Sequence, residues 1–267
     1  MFFFSLFVKT LHQMNQDTSN GFVQYKIEDK IATITFFSAA SNSFPSHLLQ
    51  ELTNTFDILS ENDSVSVIIL QSEGKTFCSG ASFDELLSID NFEDGKTFFS
   101  GFANVINAMR TCKKLIIGRV QGKAVGGGVG LAAACDYVFA TENAAIKLSE
   151  LAIGIGPFVI EPAVSRKIGI TAMSQLTLDA TNWKPAYWAL DKGLYSEIFE
   201  SLEDLDKSLI IFAKNLANYN NEALLAMKQV FWENTNHWES LLYERAAISG
   251  QLVLSDFTKN ALSDFRK

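Results

Sequence analysis

Alternating apolar and polar residues near the start of the chain predict a β-hairpin. Val23–Ile27 and Ile31–Phe36 each alternate, and the polar run Glu28–Lys30 lies between them. Side chains two residues apart share one face of a strand, so this alternation is typical of a half-buried hairpin. From Ser46 to Leu59 the apolar residues recur at helical spacing instead, which predicts an amphipathic helix.

Two strand–turn–helix units follow, and glycine marks the turn of each. The β-branched run Val65–Leu70 precedes Gly80–Ser82, and the run Leu115–Val120 precedes Gly126–Gly130. Both turns lead into segments that predict helices, Phe83–Leu87 and Leu131–Cys135. The repetition of one unit at two places indicates that the two turns serve a common purpose.

Further strands are predicted at Tyr137–Ala140 and Ile146–Leu148. Strands that alternate with helices are typical of an α/β fold. After Phe199 the strand signals end, and the segments 203–219, 221–233 and 238–253 carry apolar residues at helical spacing. We therefore divide the chain into an N-terminal extension (1–20), an α/β core (21–200) and a helical C-terminal lobe (201–267).

The helices of this lobe carry more apolar residues than a solitary helical unit leaves exposed. These residues are Leu205, Leu209, Phe212, Leu216, Leu224, Leu225, Met227 and Phe231. We expect either the core or a partner subunit to cover them, with the lobe serving in oligomerisation.

The two glycine-marked turns have the properties of a site that holds a developing negative charge. A helix start leaves backbone N–H groups without partners. Two such groups that converge on one carbonyl oxygen form an oxyanion hole. We predict the backbone N–H groups of Ala81 and Gly127 as donors, because small residues let a carbonyl group approach closely. Tight turns and close helix packing would by themselves also call for glycine here.

Glu150 is the candidate acid–base residue. Its neighbours Leu148, Leu151 and Ile153 are apolar, and partial burial raises the pKa of a carboxyl group toward neutral pH, where proton transfer is efficient. The local sequence alone fits an exposed glutamate at a strand edge better. Its position twenty residues after the second turn keeps the catalytic interpretation open.

Four segments resemble the crotonase superfamily of enoyl-CoA hydratases and isomerases. Gly74–Leu86 and Gly126–Asp136 are similar to the two oxyanion sites of that family, Leu148–Ile155 is similar to its catalytic segment, and Ala189–Phe199 resembles a later family motif. The resemblance runs from about Phe22 to the C-terminus. It implies a spiral of repeated ββα units and a homotrimer or a dimer of trimers.

The resemblance also implies a CoA thioester as substrate, with no separate cofactor and no metal. In this family Glu150 would be catalytic, and Ala81 and Gly127 would form the oxyanion hole. The substrate-binding residues would be Gly80, Gly126, Gly128, Gly130, Phe44 and Phe158.

Gly130 departs from the two-glutamate hydratases, which carry a second carboxylate at this position. We expect a one-glutamate hydratase, similar to the methylglutaconyl-CoA hydratases of leucine degradation. A second carboxylate would repel a dicarboxylic substrate, and glycine would leave room for its methyl branch. The alternatives are a 3-enoyl-CoA to 2-enoyl-CoA isomerase, in which one base moves a proton between two carbons, and a non-catalytic acyl-CoA-binding homologue, which would have no need of Glu150.

Composition argues against other classes of function. A net charge of −8 disfavours a surface for nucleic acid or anionic membranes. The apolar run Phe2–Val8 is less than half of the roughly 20 residues of a membrane span and lacks the preceding positive charge of a secretory signal. We interpret residues 1–20 as lying outside the fold, either ahead of a start at Met14 or as a short tail. Cys78, Cys112 and Cys135 show no metal-ligand spacing and predict free thiols in the cytoplasm.

Overall fold

A six-stranded sheet forms the centre of the computed structural model, which describes residues 21–264. The predicted N-terminal extension lies outside the described residues. In spatial order the strands are β1 (Phe22–Glu28), β2 (Ile31–Phe37), β3 (Val67–Ser72), β4 (Leu115–Val120), β6 (Tyr137–Thr141) and β8 (Glu197–Phe199). The first two pair antiparallel and the others pair parallel. The predicted hairpin is thereby confirmed.

A second wall of short strands stacks beside this sheet. Strands β5 (Ala124–Val125) and β7 (Ile146–Lys147) pair in parallel. Isolated bridges continue the stack from Phe44 to Ala81 and from Cys78 to Ala124. Each turn of the chain thus adds one strand to each wall, and the predicted α/β spiral is confirmed.

Ten helices surround the two walls within the described residues. They are α1 (Ser46–Ser60), α2 (Phe83–Ser88), α3 (Phe92–Thr111), α4 (Gly127–Ala134), α5 (Glu161–Leu178), α6 (Ala186–Asp191), α7 (Leu202–Ala217), α8 (Asn221–Phe231), α9 (Trp238–Leu252) and α10 (Asp256–Asp264). The sequence interpretation did not include α3, α5, α6 and α10. Helix α4 begins four residues earlier than predicted, because Gly126 takes a φ of 52° and the helix starts at the next residue. None of the helices in the described part is long and apolar enough to cross a membrane.

Both faces of the central sheet are covered. Val67 and Ile69 of β3 pack with Leu205 and Leu209 of α7 on one face, while the intervening Ile68 belongs to the main core. Burial on both faces explains why β3 is a continuous apolar run, since parallel strands between two layers of helices carry no polar face.

Helix α8 does not bury the apolar face that the sequence predicts. Met227 and Phe231 are 44% and 47% exposed. Lys228 is the one buried residue of α8, and its Nζ lies 2.7 Å from Oδ2 of Asp136, whose side chain is also buried. A polar anchor therefore fixes this helix, and its apolar residues face outward.

Candidate active site

A cavity of about 180 Å³ lies between the two glycine-marked turns, helix α3 and the segment that follows β7. Six of the predicted site residues lie on its wall: Gly80, Ala81, Gly126, Gly127, Glu150 and Phe158. The structure thus brings together residues that are up to 78 positions apart in sequence, from 80 to 158. Their catalytic and binding roles stay predictions.

The two turns approach each other closely. A Cβ built on Gly80 would lie 3.6 Å from the backbone N of Gly127 and 3.3 Å from the carbonyl O of Val125. A side chain at residue 80 would therefore occupy the space next to the second predicted donor. Gly80 also has a φ of 92°, a conformation that favours glycine.

Backbone hydrogen bonds hold the first turn so that the N–H of Ala81 stays free. The Phe44 N donates to the Gly80 O and the Ser82 N donates to the Phe44 O, each at 2.8 Å. These two bonds use the carbonyl of Gly80 and the N–H of Ser82, the neighbours of Ala81 in the chain, and leave the Ala81 N–H unused. Within residues 21–264 that N–H has no hydrogen-bond partner, so it remains available to a ligand.

The second turn presents its donor through the start of α4. Gly126 donates its N–H to the Lys147 O at 3.0 Å, which ties the turn to β7. Gly127 is the first residue of the helix, and its N–H also lacks a partner in the described part of the chain. The first N–H groups of a helix carry partial positive charge and attract an anion. Both predicted donors are therefore free of partners in the described chain, and their role as an oxyanion hole stays a prediction.

Glu150 is placed against the second turn. It begins a short 3-10 turn, Glu150–Ile153, that follows β7. A Cβ on Gly126 would lie 2.8 Å from Glu150 Oε1. Glu150 Oε2 is buried and has no hydrogen-bond partner among the described residues. Burial raises the pKa of the Glu150 carboxyl from 4.5 to about 7, because removing water disfavours the charged form.

Three predicted binding residues lie off the cavity wall. Phe44 is buried in the core and takes part through its backbone bridge to Ala81. A Cβ on Gly128 would lie 2.4 Å from the Cys78 O, so this glycine permits close packing of the two turns.

Gly130 is the third predicted binding residue that lies off the cavity wall. The space expected beside it for a methyl branch of the substrate is occupied. A Cβ there would lie 2.5 Å from Cγ2 of Ile160. The Ile160 side chain fills the position toward which a second carboxylate would extend.

Sequence reasoning missed the side of the cavity that α3 and α9 provide. Phe98, Phe99 and Phe102 of α3 and Ser249 of α9 lie on the wall. The helical spacing of the three phenylalanines was a usable signal for α3. Ser249 lies 99 positions after Glu150, and no local pattern marks it.

Other reactive groups do not suit chemistry in this cavity. Burial raises the pKa of the Cys78 and Cys135 thiols to about 12 each, so neither supplies a thiolate near neutral pH. The described residues contain no group of three or more His, Cys, Asp or Glu side chains that could hold a metal ion.

The sequence profile of the Enoyl-CoA hydratase/isomerase family matches residues 26–260, and the chain belongs to this family. A short-chain-enoyl-CoA hydratase of Clostridium acetobutylicum is 31% identical over 194 residues, 72% of either chain. A probable enoyl-CoA hydratase of Bacillus subtilis is 27% identical over 246 residues, which cover 91% of this chain and 95% of the relative. A peroxisomal Delta(3,5)-Delta(2,4)-dienoyl-CoA isomerase of Arabidopsis thaliana is 29% identical over 242 residues, with 82% and 86% covered.

Solved structures agree with this assignment. The crystal structure of an enoyl-CoA hydratase from Bacillus halodurans superposes with a TM-score of 0.82 at 22% identity and covers 91% of this chain and 99% of the other. A putative enoyl-CoA hydratase/isomerase (crotonase) from Legionella pneumophila has a TM-score of 0.75 at 29% identity, with 91% and 95% covered. The crotonase superfamily resemblance is confirmed, and the chain is an enzyme of the hydratase/isomerase class.

Proposed function

We propose that this enzyme adds water to a short, uncharged 2-enoyl-CoA thioester, with Glu150 as the single acid–base residue. The observation that carries the proposal is the position of Glu150. Its carboxyl lies on the wall of a mostly apolar cavity, against Gly126 and beside the free N–H groups of Ala81 and Gly127.

In the proposed reaction the ionised Glu150 takes a proton from a water molecule, and the water oxygen bonds to C3 of the substrate. The π electrons of the C2–C3 double bond move toward the thioester, and negative charge forms on its oxygen. The Ala81 and Gly127 N–H groups stabilise that charge, each by about 3 kcal/mol in comparable sites. Glu150 then returns the proton to C2. A carboxyl with a pKa of about 7 suits both steps near neutral pH.

The cavity supports an uncharged acyl group over a dicarboxylic one. Glu150 is the one ionisable side chain on the wall formed by described residues, and no Lys, Arg or His lies there. A distal carboxylate would be desolvated beside Glu150 without a cation, which is strongly unfavourable. The methyl branch of methylglutaconyl-CoA also has no space at Gly130, because Ile160 fills it.

The size of the cavity supports a short acyl group. An apolar cavity of about 150 Å³ holds a benzene molecule, so 180 Å³ accommodates about seven non-hydrogen atoms by the same measure. This volume holds the reacting carbons and a few further atoms of the acyl group. A long fatty acyl chain would need an additional opening in the cavity wall.

Isomerisation of a 3-enoyl-CoA is the second candidate, and one observation favours it. Glu150 is the one carboxylate on the described wall, and the place of a second is taken by Ile160. A single base that takes a proton from C2 and returns it to C4 needs no second group and no water.

A substrate panel separates these candidates. Purified enzyme is given crotonyl-CoA, 3-methylglutaconyl-CoA and 3-hexenoyl-CoA, and the products are followed by absorbance and mass. Preferred turnover of crotonyl-CoA with a mass gain of one water supports the proposal. A shifted double bond at constant mass, obtained with 3-hexenoyl-CoA alone, indicates the isomerase. Preferred turnover of 3-methylglutaconyl-CoA would contradict the proposal and support a dicarboxylic substrate. Binding of a thioester without turnover of any of them would indicate a non-catalytic homologue.

The proposal extends to assembly, cofactor and compartment. Exposed apolar side chains on the outer helices support a homotrimer or a dimer of trimers: Ile170, Leu178, Tyr187, Met227, Val230 and Phe231. The CoA thioester is the substrate, and the proposed steps need no separate cofactor. Three free cysteines support a cytoplasmic location.

A further inference from the structure

Helix α9 reaches the cavity because two glycines let it pack unusually close to α3. A Cβ on Gly95 would lie 2.9 Å from the Gly250 O, and a Cβ on Gly250 would lie 2.6 Å from the Lys96 N. Either side chain would push the helices apart, since real Cβ atoms do not approach a backbone so closely. The contact places Ser249, the neighbour of Gly250, on the wall of the cavity.

Ser249 contributes an unpaired hydroxyl to an apolar surface. The residue is 1% exposed, and its Oγ takes part in none of the side-chain hydrogen bonds formed within residues 21–264. Phe98 and Phe99 stand on the same wall. The hydroxyl therefore keeps its donor and its acceptor available to a group that enters the cavity with the substrate.

The hydroxyl lies toward the end of the cavity that is remote from the oxyanion donors. A Cβ on Gly127 would lie 2.3 Å from the Phe102 ring, so Phe102 marks the reacting end of α3. Gly95, which contacts Gly250, precedes Phe102 by seven residues of the same helix. Seven residues correspond to about 10 Å along a helix axis. Ser249 therefore faces the distal part of an acyl chain whose thioester lies at Gly127.

We propose that Ser249 is a specificity-determining residue that hydrogen-bonds a neutral oxygen, a hydroxyl or a carbonyl, near the distal end of the acyl chain. The inference rests on the function proposed above. A neutral oxygen fits better than a carboxylate, because one hydroxyl does not replace the cation that a buried carboxylate needs. The enzyme then prefers an oxygenated enoyl-CoA to a hydrocarbon chain of equal length.

A matched substrate pair tests the assignment. 2-Hexenoyl-CoA and 5-hydroxy-2-hexenoyl-CoA differ by one hydroxyl, and the measured quantity is the ratio of their kcat/KM values. We expect the wild-type enzyme to favour the hydroxylated chain by about 3- to 10-fold, as a single neutral hydrogen bond allows. In Ser249→Ala the ratio falls to one or reverses. A ratio is insensitive to a general loss of folded enzyme.

Ser240→Ala is the control, because Ser240 is an exposed serine on the same helix. It is expected to keep the wild-type ratio. A wild-type ratio of one, or an unchanged preference in Ser249→Ala, overturns the role of Ser249 while leaving the hydratase intact. If the wild-type enzyme turns over neither substrate, the proposed function fails. The ratio of the two dissociation constants, measured by calorimetry in wild type and Ser249→Ala, then decides the assignment in the same way.

Discussion

The carboxylate of Glu150 lies directly against the α-carbon of Gly126: a Cβ at residue 126 would stand 2.8 Å from Oε1. Gly126 also has a φ of 52° and immediately precedes Gly127, the second predicted oxyanion donor. One residue without a side chain thus lets the proposed acid–base group and the turn that carries the predicted donor approach each other. The proposed chemistry depends on this contact, because both groups must reach one short substrate.

Replacing Gly126 is expected to damage the site more than the fold. In Gly126→Ala the new methyl group displaces the Glu150 carboxyl, and we expect kcat/KM to fall at least 100-fold, since small misplacements of a catalytic group cost about that much. Gly74→Ala is the matched control, because Gly74 also has a positive φ, 79°, but nothing lies within 4 Å of its Cβ position. Both variants place a side chain at a positive φ, so each is expected to lose some stability, and activity is compared per amount of folded enzyme. Equal activities for the two would contradict the proposed contact.

Glu150→Gln is expected to remove catalysis and to leave binding intact. The amide has the shape of the carboxyl but cannot accept the proton, so kcat should fall by about 100- to 10,000-fold. The dissociation constant of a CoA thioester, measured by calorimetry, should change little. The exposed Glu142 offers the comparison Glu142→Gln, which should behave as wild type. Turnover of Glu150→Gln within a few fold of wild type would remove Glu150 from the mechanism.

The raised pKa of Glu150 also predicts how stability depends on pH. Between pH 4.5 and about 7 the native carboxyl keeps a proton that the unfolded chain has released. The free energy of unfolding therefore falls as pH rises through this window, by about 3 kcal/mol for this one group. Its favourable contribution is complete below pH 4.5 and lost above pH 7.

Urea denaturation of wild type and Glu150→Gln at pH 4.5 and pH 8 measures this effect. The amide does not titrate, so the variant should gain stability relative to wild type at pH 8 and lose that advantage at pH 4.5. Glu142→Gln should follow the wild-type curve at both values. A constant difference between wild type and Glu150→Gln would show that the Glu150 pKa is not raised.

Gly130 and Ile160 are expected to be coupled in stability. Gly130→Ala places a methyl group 2.5 Å from Ile160 Cγ2, and overpacking of this kind costs about 1–3 kcal/mol. Ile160→Val shortens the neighbour but leaves Cγ2 in place, whereas Ile160→Ala removes it. The double variant Gly130→Ala/Ile160→Ala should therefore be more stable than the sum of the single changes predicts. Additive denaturation energies would show that the two positions do not contact each other.

The buried pair of Asp136 and Lys228 is expected to hold the C-terminal lobe in place. Asp136 also accepts hydrogen bonds from the Trp232 Nε1 at 2.9 Å and the Ile116 N at 2.8 Å. Lys228→Met removes the ammonium group that contacts this buried carboxylate, and breaking a buried pair costs about 3–5 kcal/mol; Arg166 and Lys167, which also interact with Asp136, set the loss toward the lower end.

Lys113→Met is the control, since the Lys113–Glu61 pair is exposed and such pairs contribute at most about 1 kcal/mol. Chemical denaturation compares the two variants. A loss in Lys228→Met no larger than that in Lys113→Met would show that Asp136 does not depend on its partner.

Most of the fold was predicted from the local spacing of apolar and polar residues. The alternation in β1 and β2, the apolar run of β3 and the helical spacing of α1, α7, α8 and α9 are short-range signals, and the structure confirms each element. Helices α3 and α5 were absent from the prediction, although the apolar residues of α3 recur at helical spacing. In α5 the pattern is broken at Gly169, whose φ of 75° interrupts the helix.

The sequence by itself determined the two glycine-marked turns, because helix starts and glycine turns are local properties of the chain. Glu150 became the candidate acid–base residue through the family resemblance of the segment Leu148–Ile155. Tertiary structure alone decided that Ile160 fills the space beside Gly130, that Lys228 rather than an apolar residue is the buried side chain of α8, and that Ser249 reaches the cavity. Each of these depends on which distant segment packs against a residue, and the spacing of residues along a chain does not encode that.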